Sequence, residues 1–200
     1  MKDYLKIYKN RKVLITGCTG FKGSWLSYIL YNLKSNVIGY SLPPITKENH
    51  FEILGLENKI NMIYEDIEDY NKLIEVFEKN NPEFVFHLAA QSIVRKSYEQ
   101  PQKTLMTNII GSLNVLEAVK NTSSVKSLIY VTSDKCYENN DWIWGYREND
   151  KLGGIDPYSV SKASAELIFN SYLKCFFIDK KIGLASVRAG NVIGGGDWAE

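Results

Sequence analysis

Lys12-Val-Leu-Ile-Thr16 is a β-branched run that stops at a glycine cluster, Gly17-Cys-Thr-Gly20-Phe-Lys-Gly23, and an apolar-periodic segment follows from Phe21 to Leu33. Strand, tight turn and helix in that order confine the chain to folds that begin with a βα unit. The glycines have separate uses there: a tight turn, close approach of backbone to a ligand, and close packing of helix on strand. The helix N-terminus, with its unpaired N–H groups, is where the pyrophosphate of a dinucleotide would rest.

The same alternation continues. Asn36-Val-Ile-Gly-Tyr40, Asn61-Met-Ile-Tyr64, Phe84-Val-Phe-His-Leu88, Ser127-Leu-Ile-Tyr-Val-Thr132 and Gly183-Leu-Ala-Ser-Val-Arg188 read as further strands. Helical patterns fall over Tyr70 to Asn80, after a loop up to about Lys120, and from Tyr158 to Phe177. Residues 41–48, with Pro43-Pro44, read as loop, and a long segment rich in Asn, Trp and Gly leads to Pro157. Strands and helices alternating at this spacing imply right-handed crossovers and an α/β fold: a doubly wound parallel sheet of Rossmann type, covered on both faces. Residues 1–200 show no repeat or linker and read as one such domain.

Composition narrows the class of partner. Lys+Arg at 24 against Asp+Glu at 23 leaves a net charge of +1, so no net field would hold nucleic acid or an anionic membrane; neither is expected as a partner. No stretch approaches the ~18 apolar residues of a membrane span. Cys18, Cys136 and Cys175 are an odd number without short spacing, which fits neither a disulfide framework nor a zinc site; a reducing, cytoplasmic setting and no metal are expected.

Tyr158-Ser-Val-Ser-Lys162 places a phenol and an ammonium at i and i+4, neighbours on one helix face. A phenol is a poor base at neutral pH, and a nearby ammonium favours its ionised form. Thr132-Ser-Asp-Lys135 stands at the carboxyl end of the fifth strand, the edge where ligands bind in such sheets. Ser133 is placed there to donate to the hydroxyl that Tyr158 deprotonates. Asp134 and Lys135 add an acid and a base beyond what hydride exchange alone requires, and a dehydration needs both.

The G-x-x-G-x-x-G spacing resembles the short-chain dehydrogenase/reductase superfamily. A narrower resemblance runs through Gly17-Cys-Thr-Gly-Phe-Lys-Gly-Ser-Trp-Leu26, His87-Leu-Ala-Ala-Gln-Ser92, Thr132-Ser-Asp-Lys-Cys-Tyr-Glu138, Trp144-Gly-Tyr-Arg-Glu148 and Arg188-Ala-Gly-Asn-Val-Ile-Gly-Gly-Gly-Asp-Trp198. Together these resemble the CDP-glucose 4,6-dehydratase family over nearly the whole chain. In the related dTDP-sugar dehydratases the triplet is Thr-Asp-Glu, so Lys135 stands in place of a glutamate.

The resemblance implies a mechanism and a set of contacts. Tyr158 takes the proton of the sugar 4-hydroxyl as hydride leaves C4; Lys162 lowers the tyrosine pKa and holds the nicotinamide ribose. Lys135 removes the C5 proton, Asp134 protonates the departing 6-hydroxyl, and hydride returns to C6. CDP-glucose would become CDP-4-keto-6-deoxyglucose, with NAD unchanged overall. Cofactor contacts are expected from Gly17, Thr19, Gly20, Phe21, Lys22, Gly23, Asp66, Ile67, Leu88, Ala89 and Ala90, besides Tyr158 and Lys162. Tyr40 and Ser41 stand where an acid would select NAD, so NADP is left open. An ammonium is a base only when neutral, so Lys135 needs burial or neighbouring cations; a charged Lys135 would instead stabilise an enolate.

Asn108 and Asn191 are substrate-contact candidates; His50 and His87 read as structural, and Trp142 and Trp144 as anchors of the long loop. The superfamily resemblance implies a homodimer paired through the helices at 108–120 and 159–177. It also implies that a substrate-binding region begins near 189–200 and that most of the smaller C-terminal substrate domain is absent from this chain. An epimerase or reductase of the same superfamily, which would leave Asp134 and Lys135 without roles, and a non-catalytic dinucleotide-binding module are the alternative readings.

Overall fold

The structure, a computed structural model, describes residues 3–198. Its six strands are β1 (Lys12–Thr16), β2 (Asn36–Ser41), β3 (Asn61–Tyr64), β4 (Phe84–His87), β5 (Ser127–Val131) and β6 (Gly183–Val187). All pair in parallel in the order β3-β2-β1-β4-β5-β6, which is the doubly wound arrangement expected. The order reverses between β1 and β4, whose carboxyl ends meet with Thr16 opposite His87. The loops leaving those two ends open the crevice in which such sheets bind ligands.

Side chains alternate across β1 and divide the core in two. Leu14 packs with Val85, Leu116, Val119, Leu128, Tyr130 and Phe169 on one face. Val13 and Ile15 pack with Leu30, Val37, Phe51 and Leu56 on the other. A strand buried on both faces therefore reads as a continuous apolar run.

The helices are α1 (Phe21–Asn32), α2 (His50–Ile53), α3 (Tyr70–Asn80), α4 (Val94–Glu99), α5 (Pro101–Leu105), α6 (Gly111–Asn121) and α7 (Pro157–Tyr172). One differs from the sequence expectation, and another keeps its expected end at Phe177 with a change of helical geometry. The segment up to Lys120 is not one helix: Pro101 has no N–H to continue α4 and leaves Gln100 outside helical geometry, at φ −133° and ψ 63°. A π-turn at Met106–Ile110 then joins α5 to α6. The α-helical part of the last segment stops at Tyr172 and ends in a second π-turn, Leu173–Phe177. Asp156 caps α7 by accepting from Ser159 N at 2.9 Å, with Pro157 at the position where a missing N–H costs nothing. No helix among the described residues is long and apolar enough to cross a membrane.

Candidate active site

The glycine loop is built by backbone contact. Gly17 adopts φ +71° and donates from its N–H to Tyr40 O at 2.9 Å. A Cβ there would lie 2.7 Å from Ala89 N, and one on Gly23 only 2.1 Å from Gly17 O. Leu88 and Ala89 close the other side, each donating its N–H to Thr16 Oγ1 at 3.2 Å. α1 starts after Gly20 with no side-chain cap and no acid in its first turn, so its N–H groups stay available to an anion. Thr19 Oγ1 donates to Leu42 O at 2.9 Å and lies 2.7 Å from Ser41 Oγ, tying the loop to the end of β2.

At the position where a ribose-binding acid was sought, Tyr40 is a core residue. It is fully buried and donates its hydroxyl to Asp66 O at 3.0 Å. Asp66 accepts from Glu68 N at 3.0 Å and pairs with Lys103 at 3.1 Å. The Ile67 side chain is buried in the core.

The other half of the crevice is the end of β5 and the face of α7. Ser133 caps a single 3-10 turn, Asp134–Cys136: its Oγ accepts from Lys135 N at 3.2 Å and donates to Asp134 Oδ1 at 3.0 Å. Ser133 is also near enough to the Tyr158 phenol to act on it electrostatically. Tyr158 and Lys162 are both buried, and the Lys162 ammonium sits 5.8 Å from the Tyr158 ring centroid.

Electrostatics corrects one expectation. Burial pushes the Tyr158 phenol above its ordinary value, against a lowering contribution from Ser133, and Asp134 and Asp156 raise it further. Lys162 is not among the groups that shift it. Burial first and Lys22 second lower Lys162 to about 8. Lys22, in the glycine loop, is itself lowered by burial. Among the described residues Lys162 forms no hydrogen bond or ion pair. An ammonium that bonds no other side chain, close to Lys22 and to a loop whose helix N-terminus is uncapped, fits a ligand carrying both hydroxyl and phosphate groups, as a nicotinamide dinucleotide does.

The remaining candidates divide. Asp134 and Lys135 are exposed at the carboxyl edge beside Ser133, and the burial sought for Lys135 is not supplied by the described residues. Asn108 is corrected from a substrate contact to an interior brace. It is only 1% exposed; its amide donates to Gln91 O at 3.0 Å and Ser161 Oγ at 2.8 Å and accepts from Gln91 N at 2.8 Å. Asn191 is exposed just beyond β6. His87 is interior, 2.8 Å from Thr16 Oγ1 and 2.9 Å from Ser112 Oγ, and burial lowers it to about 3. His50 is buried against Ser24 and the Trp25 ring. Trp142 packs on Tyr146, whereas Trp144 is 71% exposed and makes no ring contact among the described residues.

Glu166 and Arg188 were not singled out from the sequence. Glu166 is fully buried one turn beyond Lys162 and pairs with Arg188 at 2.8 Å. The signal was present in the spacing of Tyr158, Lys162 and Glu166, which recur every four residues on one helix face.

A doubly wound sheet with a glycine loop at β1 and a Tyr-x-x-x-Lys pair on the helix before β6 defines the extended short-chain dehydrogenase/reductase class. Within it, residues 14–190 match the family described as GDP-mannose 4,6 dehydratase, and the chain belongs to that family. It is 48% identical over 198 residues to CDP-glucose 4,6-dehydratase of Salmonella typhimurium, covering 96% of this chain and 55% of that protein. UDP-glucose 4-epimerase of Thermotoga maritima, solved with UDP-glucose, superposes with a TM-score of 0.77 at 28% identity, over 88% of this chain and 54% of that one. UDP-glucose 4-epimerase of Brucella ovis, solved with NAD, gives 0.76 at 25% identity, over 90% and 52%. The chain spans about half the length of these relatives.

Proposed function

We propose that this chain carries the cofactor-binding and catalytic half of a nucleotide-sugar 4,6-dehydratase acting on CDP-glucose. The observation that carries the reading is the Asp134-Lys135 turn, an acid and a base set beside Ser133 and Tyr158 at the carboxyl edge of β5. The 48% identity to a CDP-glucose 4,6-dehydratase supports the substrate, and the NAD of the Brucella ovis relative supports NAD over NADP.

Gly17, Gly20 and Gly23 with the α1 N-terminus would hold the pyrophosphate, and Lys162 and Tyr158 the nicotinamide ribose; Thr19, Phe21, Lys22, Asp66, Ile67, Leu88, Ala89 and Ala90 would complete the site. A nicotinamide held there would supply the acceptor and donor of the hydride. Tyr158 would take the proton of the 4-hydroxyl as C4 is oxidised, with Ser133 turning its hydroxyl to the same oxygen, and the positive charge of an oxidised nicotinamide would offset the burial that raises the phenol. The 4-ketone acidifies the C5 proton. Lys135 removes that proton and Asp134 gives one to the departing 6-hydroxyl, so water leaves. Hydride addition at C6 and proton return at C5 complete the product, a 4-keto-6-deoxy sugar. Asn191 and residues 189–198 begin the surface that meets the substrate.

Leu167 and Phe176 expose apolar surface on the segment 159–177, one of the two that would pair in a homodimer. The three free cysteines support a reducing, cytoplasmic setting.

Mass spectrometry in deuterated water tests the reading, using this chain and a version extended to its relatives' length. Loss of one water from CDP-glucose with one deuterium gained at C5 is expected. Ser133→Ala should lower turnover by roughly 10²-fold, as loss of one oriented donor does. An epimerised product of unchanged composition, undisturbed by Lys135→Ala, would refute the dehydratase in favour of the epimerase that the structural relatives represent.

A further inference from the structure

We propose that the buried Glu166–Arg188 ion pair is the positioning element that keeps the Ser133–Lys135 turn in register with Tyr158 and Lys162. The inference rests on the reading of that turn as the acid and base of the reaction. Both flanks of the turn are tied to this one pair. On the near side, Thr132 donates its hydroxyl to Glu166 Oε1. On the far side, Arg188 Nη1 donates to the Tyr137 hydroxyl at 2.8 Å, with the guanidinium 4.9 Å from the Tyr137 ring. The same nitrogen reaches Glu148 O at 2.9 Å, drawing in the long loop. Ser186 completes the cluster by donating to Glu166 Oε2 at 3.1 Å.

The pair lies where four separate parts of the chain must agree. Glu166 belongs to the helix that carries Tyr158 and Lys162, Thr132 follows β5, Arg188 follows β6, and Tyr137 opens the loop. Backbone contacts from the same strand run alongside: Thr132 N donates to Val187 O at 2.9 Å and Asp134 N to Ala189 O at 3.1 Å. A carboxylate with no exposure is held only while its partners are in place, because an unpaired buried charge is strongly unfavourable. The planar guanidinium fork suits the geometry: Nη2 meets Glu166 while Nη1 meets Tyr137 and Glu148. The fixed point that sets where Asp134 and Lys135 stand is therefore on α7 itself. Tyr158 and Lys162 have their own helix for support, whereas the turn is held by its flanks and by two backbone bonds of its own, Asp134 N to Ala189 O at 3.1 Å and Gly153 N to Cys136 O at 2.9 Å.

Loosening the pair should release the turn before it disturbs the helix. Thr132→Val keeps the ion pair and cuts the near flank; Arg188→Lys keeps the charge and gives up the fork. Hydrogen–deuterium exchange on the folded variants should show the amides of residues 134–137 exchanging roughly tenfold faster or more, as expected for losing a charge-assisted bond. Amides of α7 should be unchanged. With CDP-glucose, kcat for water loss should fall with KM little altered, and near-ultraviolet absorbance of reduced nicotinamide should build up as oxidation outruns elimination. Thr132→Ser, which restores the hydroxyl, should restore both readouts. Unchanged exchange at 134–137, or a rise shared equally with α7, would overturn the proposal. A wild-type protein that removes no water from any nucleotide sugar would overturn the dehydratase reading instead, and the exchange measurement would still decide the role of the ion pair.

Discussion

Gly23→Ala tests whether the glycine loop is set by packing. A Cβ on Gly23 would lie 2.1 Å from Gly17 O and 2.8 Å from Cys18 Cα, where ordinary contact begins at 3.4 Å. Both are main-chain atoms of a turn fixed by the Gly17 N–H to Tyr40 O, so neither can swing aside as a side chain would. Alanine gains about 1 kcal/mol of helix propensity over glycine, while overpacking costs about 1–3 kcal/mol and more where backbone must move. A net loss of about 2 kcal/mol is expected, equivalent to a fall in Tm of roughly 4–8 °C for a chain of this size. Gly20→Ala is the comparison. Its Cβ would meet Gly17 O at 3.5 Å, an ordinary contact, and its φ of −74° suits any residue. Stability should then change by less than about 0.5 kcal/mol. Its methyl would nonetheless stand at the uncapped end of α1, so NAD affinity should fall by about tenfold or more. Thermal unfolding followed by circular dichroism reads the first effect and NAD quenching of tryptophan fluorescence the second. A Gly23→Ala protein that melts with the wild type would refute the packing argument; undiminished NAD binding by Gly20→Ala would refute the placement of the pyrophosphate.

Two further outcomes are expected. Lys162 is lowered from 10.5 to about 8, so between those pH values the folded chain binds fewer protons than the unfolded one; this group's contribution to stability rises with pH across that window and is least favourable below it. Denaturant midpoints across the window should show that rise in the wild type and its loss in Lys162→Met, and parallel profiles would contradict it. A thiol reagent should label Cys175 in the native protein and leave Cys18 and Cys136, both buried with their thiols pushed up to about 12 and about 11, until the chain unfolds. Native labelling of either buried thiol would show that its burial is wrong.

Most of the fold is legible in local pattern. The run from Val13 to Ile15 is apolar at every position because β1 is covered on both faces, and that pattern needs no tertiary information to be seen. The glycine spacing announces a turn that only backbone contact can build, and the contacts at Gly17 and Gly23 are of that kind. The i, i+4 relation of Tyr158 and Lys162 follows from helical geometry alone. Helix boundaries near 100–110 and 173–177 were harder to see, because π-turns leave no periodic signature of their own.

What local pattern cannot carry is the sum of distant contributions at one point in space. The sign of the Tyr158 shift is such a sum: adjacency to an ammonium argues for a lowered phenol, yet burial by the whole sheet edge raises it and depresses the ammonium as well. Asn108 has the residue type of a ligand contact, and only packing reveals that its amide is spent on Gln91 and Ser161. The Glu166–Arg188 pair joins residues 22 positions apart to Thr132 and Tyr137 because β5, β6 and α7 are brought side by side. Residue type and spacing thus fixed which chemistry the chain carries. Desolvation and long-range pairing, which exist only once the sheet has closed, fixed how each group is charged and held.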